Sequence, residues 1–301
     1  MNLINIRHSI IFFNLCIFIS PIYNLIKIEP IILCLFLILI VGISHGSLDN
    51  LKGQKLLKIL GFKSIYLFYL GYLIISFLII LLWFLSPNVT LLLFLVIAAY
   101  HFGKEDTIFK LKKNSFTNEV LFFFKGSTII IAPLLMNREA TNEIFQTLNF
   151  NVFENTFFND FNLIIFLILS FFSNLYLSLY KKFEFKAVLV MDFFAVIILN
   201  FFLTPVLAFT IYFCFLHSVR HSITLIFELS NSFRIGVKKF IYKAIPLTLI
   251  TAIFFLMAIY FLNNFYRLDE AIYKVIFIGL ASLTFPHILL EYFLEKNEKG
   301  T

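Results

Sequence analysis

"PIILCLFLILIVGISHGSLDN" (residues 30–50) is the stretch whose reading decides the fold. It begins as an unbroken apolar run and then sets His45, Gly46, Ser47 and Asp49 where that run has only just become long enough to matter. Pro30 to Ser44 makes about 22 Å of helix, short of a hydrocarbon layer about 30 Å thick. His45 has therefore not left the membrane when the polar residues begin. The stretch reads as the inner end of a membrane span. Gly46 lets a neighbouring helix or a metal centre approach closely, and Asp49, one turn on from His45, is placed to hold its imidazole or to meet the aqueous interface.

The rest of the chain is of the same kind. Of its 301 residues 61% are hydrophobic and 14% charged, with a mean hydropathy of +0.95, whereas a soluble domain carries about 25% charge. The expected class is all-α: a polytopic integral membrane protein. The 43 phenylalanines accompany abundant Ile, Asn and Lys, a compositional bias that gives them no functional weight. Cys16, Cys34 and Cys214 sit singly in apolar runs without C-x-x-C spacing, as packing residues do. The opening "MNLINIRHSIIFFNLCIFIS" has the basic-then-apolar order of a signal peptide but no small-x-small cleavage site, and reads as a retained first helix.

Apolar runs near the spanning length of about 20 residues fall at 9–25, 30–45, 64–86, 88–103, 119–136, 161–180, 187–203, 205–229, 244–262 and 271–294. This gives about ten helices, with eight as the lower bound where Pro30, "SPN" at 86–88 and Pro205 separate neighbours only narrowly. Basic residues test the count, because a wrong one scatters them over both faces. With ten spans, Lys27, Arg138 and Arg267 alone fall on one side, whose longest loop, 137–160, carries Glu139, Glu143, Glu154 and Asp160. The other side holds Arg7 and the groups around Lys52 to Lys63, Lys104 to Lys113, Lys181 to Lys186, Arg234 to Lys243 and Lys296 to Lys299. Both termini are then cytoplasmic, Trp83 lies in the outer aromatic belt, and residues 1–301 form a single domain in the cell (inner or plasma) membrane. The net charge of +7 is a topology signal, so a nucleic-acid partner is set aside.

Ionisable groups at membrane depth are costly and mark function. They are His45, His101, Asp192, His217, Arg220, His221, His287, Lys125, Lys274 and Glu291. His217 and His221 in "FLHSVRHS" are spaced i, i+4, which puts both rings on one helix face. Counted from the outer start of each helix, His45, His101, His217, His221 and His287 lie about 18 to 24 Å deep. Five of the six histidines thus share one layer on four helices, which points to a buried metal; imidazole suits Fe, Zn, Cu or Ni, and spacing does not choose among them. Glu291, four residues after His287, is placed either to orient that ring or to be hydrated at the interface. Asp192 and Arg220 are expected to pair structurally. Lys125 and Lys274 are expected to snorkel to the helix ends, outside the site.

Four motifs in order, "ISHGSLD" (43–49), "YHFGKED" (100–106), "HSVRH" (217–221) and "FPHILLE" (285–291), make the chain resemble the Brp/Blh family of β-carotene 15,15'-dioxygenases from about residue 30 to 294. The resemblance implies cleavage of β-carotene with O2 to two all-trans-retinal, which serve a microbial rhodopsin. It also implies an Fe(2+) cofactor on His45, His101, His217 and His221 as metal-binding catalytic residues, with His287, Asp49 and Glu291 close to the centre. The chain departs from the family pattern at Asn50, where another histidine often follows. Such a site, reached sideways from lipid, suits a polyene that never enters water.

Three other classes fit parts of the pattern. A haem-binding electron-transfer protein needs two facing histidines, which the layer permits. A di-iron desaturase needs more histidines than the chain has. A cation transporter calls for mid-membrane carboxylates, and only Asp192 comes near that. A dioxygenase acting on a different carotenoid remains the nearest variant of the leading reading.

Overall fold

A computed structural model describes residues 2–25, 30–109, 115–179 and 181–298. Ten helices in it are long and apolar enough to cross a membrane, and the described residues contain no strand. In chain order they are α1 (Leu3–Tyr23), α2 (Ile31–Ile59), α3 (Tyr66–Leu85), α4 (Pro87–Glu105) and α5 (Phe116–Met136), then, after a short α6 (Arg138–Thr147), α7 (Asp160–Ser178), α8 (Glu184–Phe202), α9 (Pro205–Leu229), α10 (Phe233–Leu262) and α11 (Leu268–Asn297). Pro87 and Pro205 each open a helix, where the missing N–H costs nothing and the fixed φ is already helical. The protein is an all-α polytopic membrane protein.

The helices differ in how far they are buried, and that ranks them. Within its most apolar window α9 is 72% buried, whereas α10 is 11% and α3 17% buried. α9 is therefore the central post, while α3 and α10 face lipid. Close packing of α4 on α5 depends on two glycines: a Cβ at Gly103 would lie 1.8 Å from the Phe122 carbonyl oxygen, and one at Gly126 1.9 Å from that of Ala99. Without a hydrophobic drive between helices in lipid, such small-residue contacts are what bring backbones together.

Two sequence expectations are corrected by length. The second span does not end near residue 45 but continues to Ile59, and α10 begins at Phe233 rather than near 244. In both cases the added turns are polar or basic, so a hydropathy count stops short of them. The loop 137–160 also holds more structure than expected. It forms α6, tied back by Asn142, whose side-chain oxygen accepts the Val152 N–H at 2.8 Å. Ile144, Phe145, Leu148, Phe150, Val152 and Phe158 are all buried, so the loop plugs that end of the bundle. We call this the loop end and the opposite, lysine-rich end the basic end.

Neither α2 nor α9 is a regular helix. α2 passes through a π-helical stretch at Ile38–Gly42 and a 3-10 stretch at Ile43–Leu48 before resuming at Asp49. α9 is π-helical over Tyr212–Ser218. Such wide turns are rare and concentrate at functional sites, because they re-aim side chains at the expense of backbone hydrogen bonding. Here side chains repair the loss: His8 Nε2 lies 2.7 Å from the Phe215 carbonyl oxygen, and Ser218 Oγ donates to the Gly42 carbonyl at 3.2 Å.

Candidate metal centre

Each histidine of the expected layer owes its position to one of these elements. α4 carries His101 one turn before its end, α9 carries His217 in the π stretch and His221 just beyond it, and α11 carries His287. The rings converge: His101 lies 5.3 Å from both His217 and His287, centroid to centroid, and His221 lies 5.9 Å from His287. All four are buried. The side chain of His45 lies outside the described residues; its backbone belongs to the 3-10 stretch of α2.

Three of the rings are braced by a carboxylate at Nδ1. His217 meets Asp106 at 3.0 Å, His221 meets Glu105 at 3.2 Å, and His287 meets both oxygens of Asp49 at 2.9 Å. An ionised carboxylate only accepts, so each of these nitrogens donates and the ring is turned with Nε2 toward the cluster; Lys52 Nζ lies 3.5 Å from His221 Nε2. Carboxylate-held imidazoles of this kind are how proteins fix ring orientation and raise basicity at metal sites. The carboxylates are held in turn. Tyr212 donates to Asp106, and Tyr72 donates to Asp49 at 3.2 Å and to the Leu283 carbonyl at 3.1 Å.

Arg220 locks this layer into the bundle. It donates to the Asp106 carbonyl at 3.0 Å, to Ser9 Oγ at 2.6 Å and to the two oxygens of Asp192 at 2.9 and 3.1 Å. The expected structural pair of Asp192 and Arg220 is present, and it satisfies charges that would otherwise be unpaired in a dry interior. Glu291 takes a middle course between its two expected roles: Lys52 donates to it at 2.6 Å, and it lies 3.8 Å from His287 Nε2. The ligand atoms of His101, His287 and Glu291 lie within 4.8 Å of one another, as do those of Glu105, His221 and Glu291.

Other expectations change. Asp49 holds His287, because the continued α2 packs beside α11; its expected contact with the His45 ring lies outside the described residues. Lys125 does not snorkel; it is buried and donates to the Gly103 carbonyl at 3.2 Å and to Thr107 Oγ1 at 2.9 Å, since the close α4–α5 crossing brings those acceptors nearer than water. Trp83, two residues before the end of α3, is 4% exposed and packs on Phe94, so its ring is turned into the bundle. The lone cysteines are buried and free. Glu105, Asp106, Lys52, Tyr72 and Tyr212 were missed. The signal for the two carboxylates was in "YHFGKED", four and five residues after His101, where their charge made them look like interface.

The cluster borders one end of a cavity of about 980 Å³. His101, His287, Asp49 and Asn50 line its basic end, and its walls run along α3, α10 and α11 to Asn149, Tyr266 and Lys274 at the loop end. Between the ends the lining is mostly apolar, as small-molecule sites generally are. Leu73 and Phe84 of α3 and Phe254 and Phe261 of α10 line the cavity and are also exposed on the outside of the bundle. The cavity therefore opens sideways, toward lipid, between two helices.

A bundle with a carboxylate-braced imidazole cluster at one end of a mostly apolar cavity defines a class: polytopic membrane proteins with a buried polar centre beside an apolar cavity. The chain matches the β-carotene 15,15'-dioxygenase family over residues 36–295 and belongs to it. It is 28% identical over 267 residues to a β-carotene 15,15'-dioxygenase of uncultured marine bacterium 66A03, covering 86% of this chain and 92% of that one. No solved structure matches it significantly.

Proposed function

We propose that the protein is an iron-dependent oxygenase that cleaves the central C15=C15' bond of β-carotene with O2 to give two all-trans-retinal, the chromophore of a microbial rhodopsin. The observation that carries this reading is the meeting of buried, carboxylate-braced histidines with the end of a lipid-facing apolar cavity. The donor set fits a divalent iron: imidazoles with oriented rings, and carboxylates close enough to balance its charge. His101, His217 and His221 would hold it together with His45, the ligand set implied by the family resemblance, with His287 and Glu291 beside them.

Iron bound there supplies the activation of O2 and the redox chemistry. The chain's own residues do the rest. The walls of α3, α10 and α11 hold the polyene and exclude water, which keeps O2 and the double bond in a dry site. Asp106, Glu105 and Asp49 keep the Nδ1 protons of His217, His221 and His287 and so fix which nitrogen faces the centre. The balance is one carotene and one O2 to two aldehydes, with no external reductant.

The test is expression in a β-carotene-producing bacterial host with iron supplied. Bleaching with retinal in the extract is expected from the parent chain, and none from His217→Ala or His221→Ala at equal membrane abundance. Full activity in both variants removes the metal-site assignment.

A further inference from the structure

At the basic end α2 and α11 meet rung by rung. Asp49 and Lys52 lie three residues apart on α2, and His287 and Glu291 four apart on α11, so each pair shares one helix face. The charges alternate across the gap. Asp49 accepts from His287 at 2.9 Å, and Lys52 donates to Glu291 at 2.6 Å. Lys52 also reaches the cluster itself, where its Nζ lies 3.5 Å from His221 Nε2. Since His221 Nδ1 is given to Glu105, the nitrogen aimed at Lys52 is the one that would hold iron.

An ordinary ion pair needs only its carboxylate. Here the ammonium sits between a carboxylate oxygen and an imidazole nitrogen, which are donors a divalent transition metal takes. An imidazole nitrogen has one lone pair, so an N–H donor and a metal exclude each other on it. The lysine stem is flexible and its ammonium has three rotatable donors, so Lys52 can leave His221 and stay on Glu291. The Lys52 and Glu291 side chains are 19% and 16% exposed, whereas the four rings are buried; a cation arriving from outside meets them first. We propose, building on the function above, that Lys52 is a built-in competitor of the metal. Its ammonium holds the His221 position, gives it up for Glu291 alone when iron is taken up, and so sets the iron affinity of the centre.

The test is Fe(II) titration of the purified full chain without oxygen, with Co(II), read from its visible spectrum, as a second probe. Lys52→Met keeps the bulk without the charge. It should bind either ion about ten-fold more tightly than the parent, the scale of one charge-assisted hydrogen bond removed from the competition. A charge that merely repels the ion acts whether or not His221 is present; competition needs the ring. In the His221→Ala background the gain from Lys52→Met should therefore largely vanish. The parent chain supplies a check that no misfolded variant can spoil: the rate of Co(II) uptake should level off as its concentration rises, because Lys52 has to leave first. A Lys52→Met chain no tighter than the parent, an equal gain in both backgrounds, or an uptake rate that keeps rising in proportion to Co(II) overturns this proposal and leaves the function standing. A parent chain that takes up neither ion overturns both.

Discussion

His217 shows what a single residue needs before it can serve a metal. Its ring is stacked on Phe213, edge-on to Phe102 and held at Nδ1 by Asp106, which Tyr212 holds in turn. Apolar rings set the plane and the carboxylate sets the tautomer. Asp106→Asn keeps the size of the side chain but not the charge, and loss of such a partner costs about 10- to 100-fold in metal affinity. We expect iron content, measured by mass spectrometry at limiting iron, to fall accordingly, and excess iron to restore part of the cleavage rate. A purely structural role would instead lower membrane abundance without rescue. The histidines were legible in the sequence because a titratable group at membrane depth stands out. Their braces were not, because Glu105 and Asp106 follow a helix end beside Lys104 and carry the signature of an interface. Asp49 was legible as a brace, but its partner His287 was not, because it comes from a helix more than two hundred residues away.

At the scale of elements, the wide turns of α2 and α9 decide where the ligands point. Removing one residue from the π-helical stretch Tyr212–Ser218 restores a regular helix, in which His217 loses its place against Phe213 and Asp106 while the residues beyond the stretch keep their register. Deletion of Phe215 should therefore lower iron binding through His217, while α9 still crosses the membrane. Iron content beside membrane abundance checks this, and a deletion variant that binds iron as the parent does would contradict it. The spans themselves were readable from hydropathy, including the proline starts of α4 and α9. The extra residue of a wide turn was not, since it leaves an all-apolar run looking the same. The basic first turns of α10 and the short α6 also escaped, because their polarity outweighs any apolar periodicity in so few residues.

For the whole molecule, class and number of helices followed from composition and charge placement, but the cavity did not. It exists because α3 and α10, the two least buried helices, stand apart where they flank α11, and no single helix records a gap between two others. That gap has a thermodynamic consequence. A carotenoid that moves from lipid into an apolar cavity exchanges one hydrocarbon environment for another, and lipid tails are as apolar as leucine side chains. Binding then draws little from the hydrophobic effect, so shape decides selectivity. The concentration that matters is the mole fraction of substrate in the bilayer or micelle, not its amount per litre of water. At fixed carotene and protein, adding detergent should slow cleavage in proportion to the dilution of substrate among micelles, and a rate that ignores detergent would show that the substrate arrives through water.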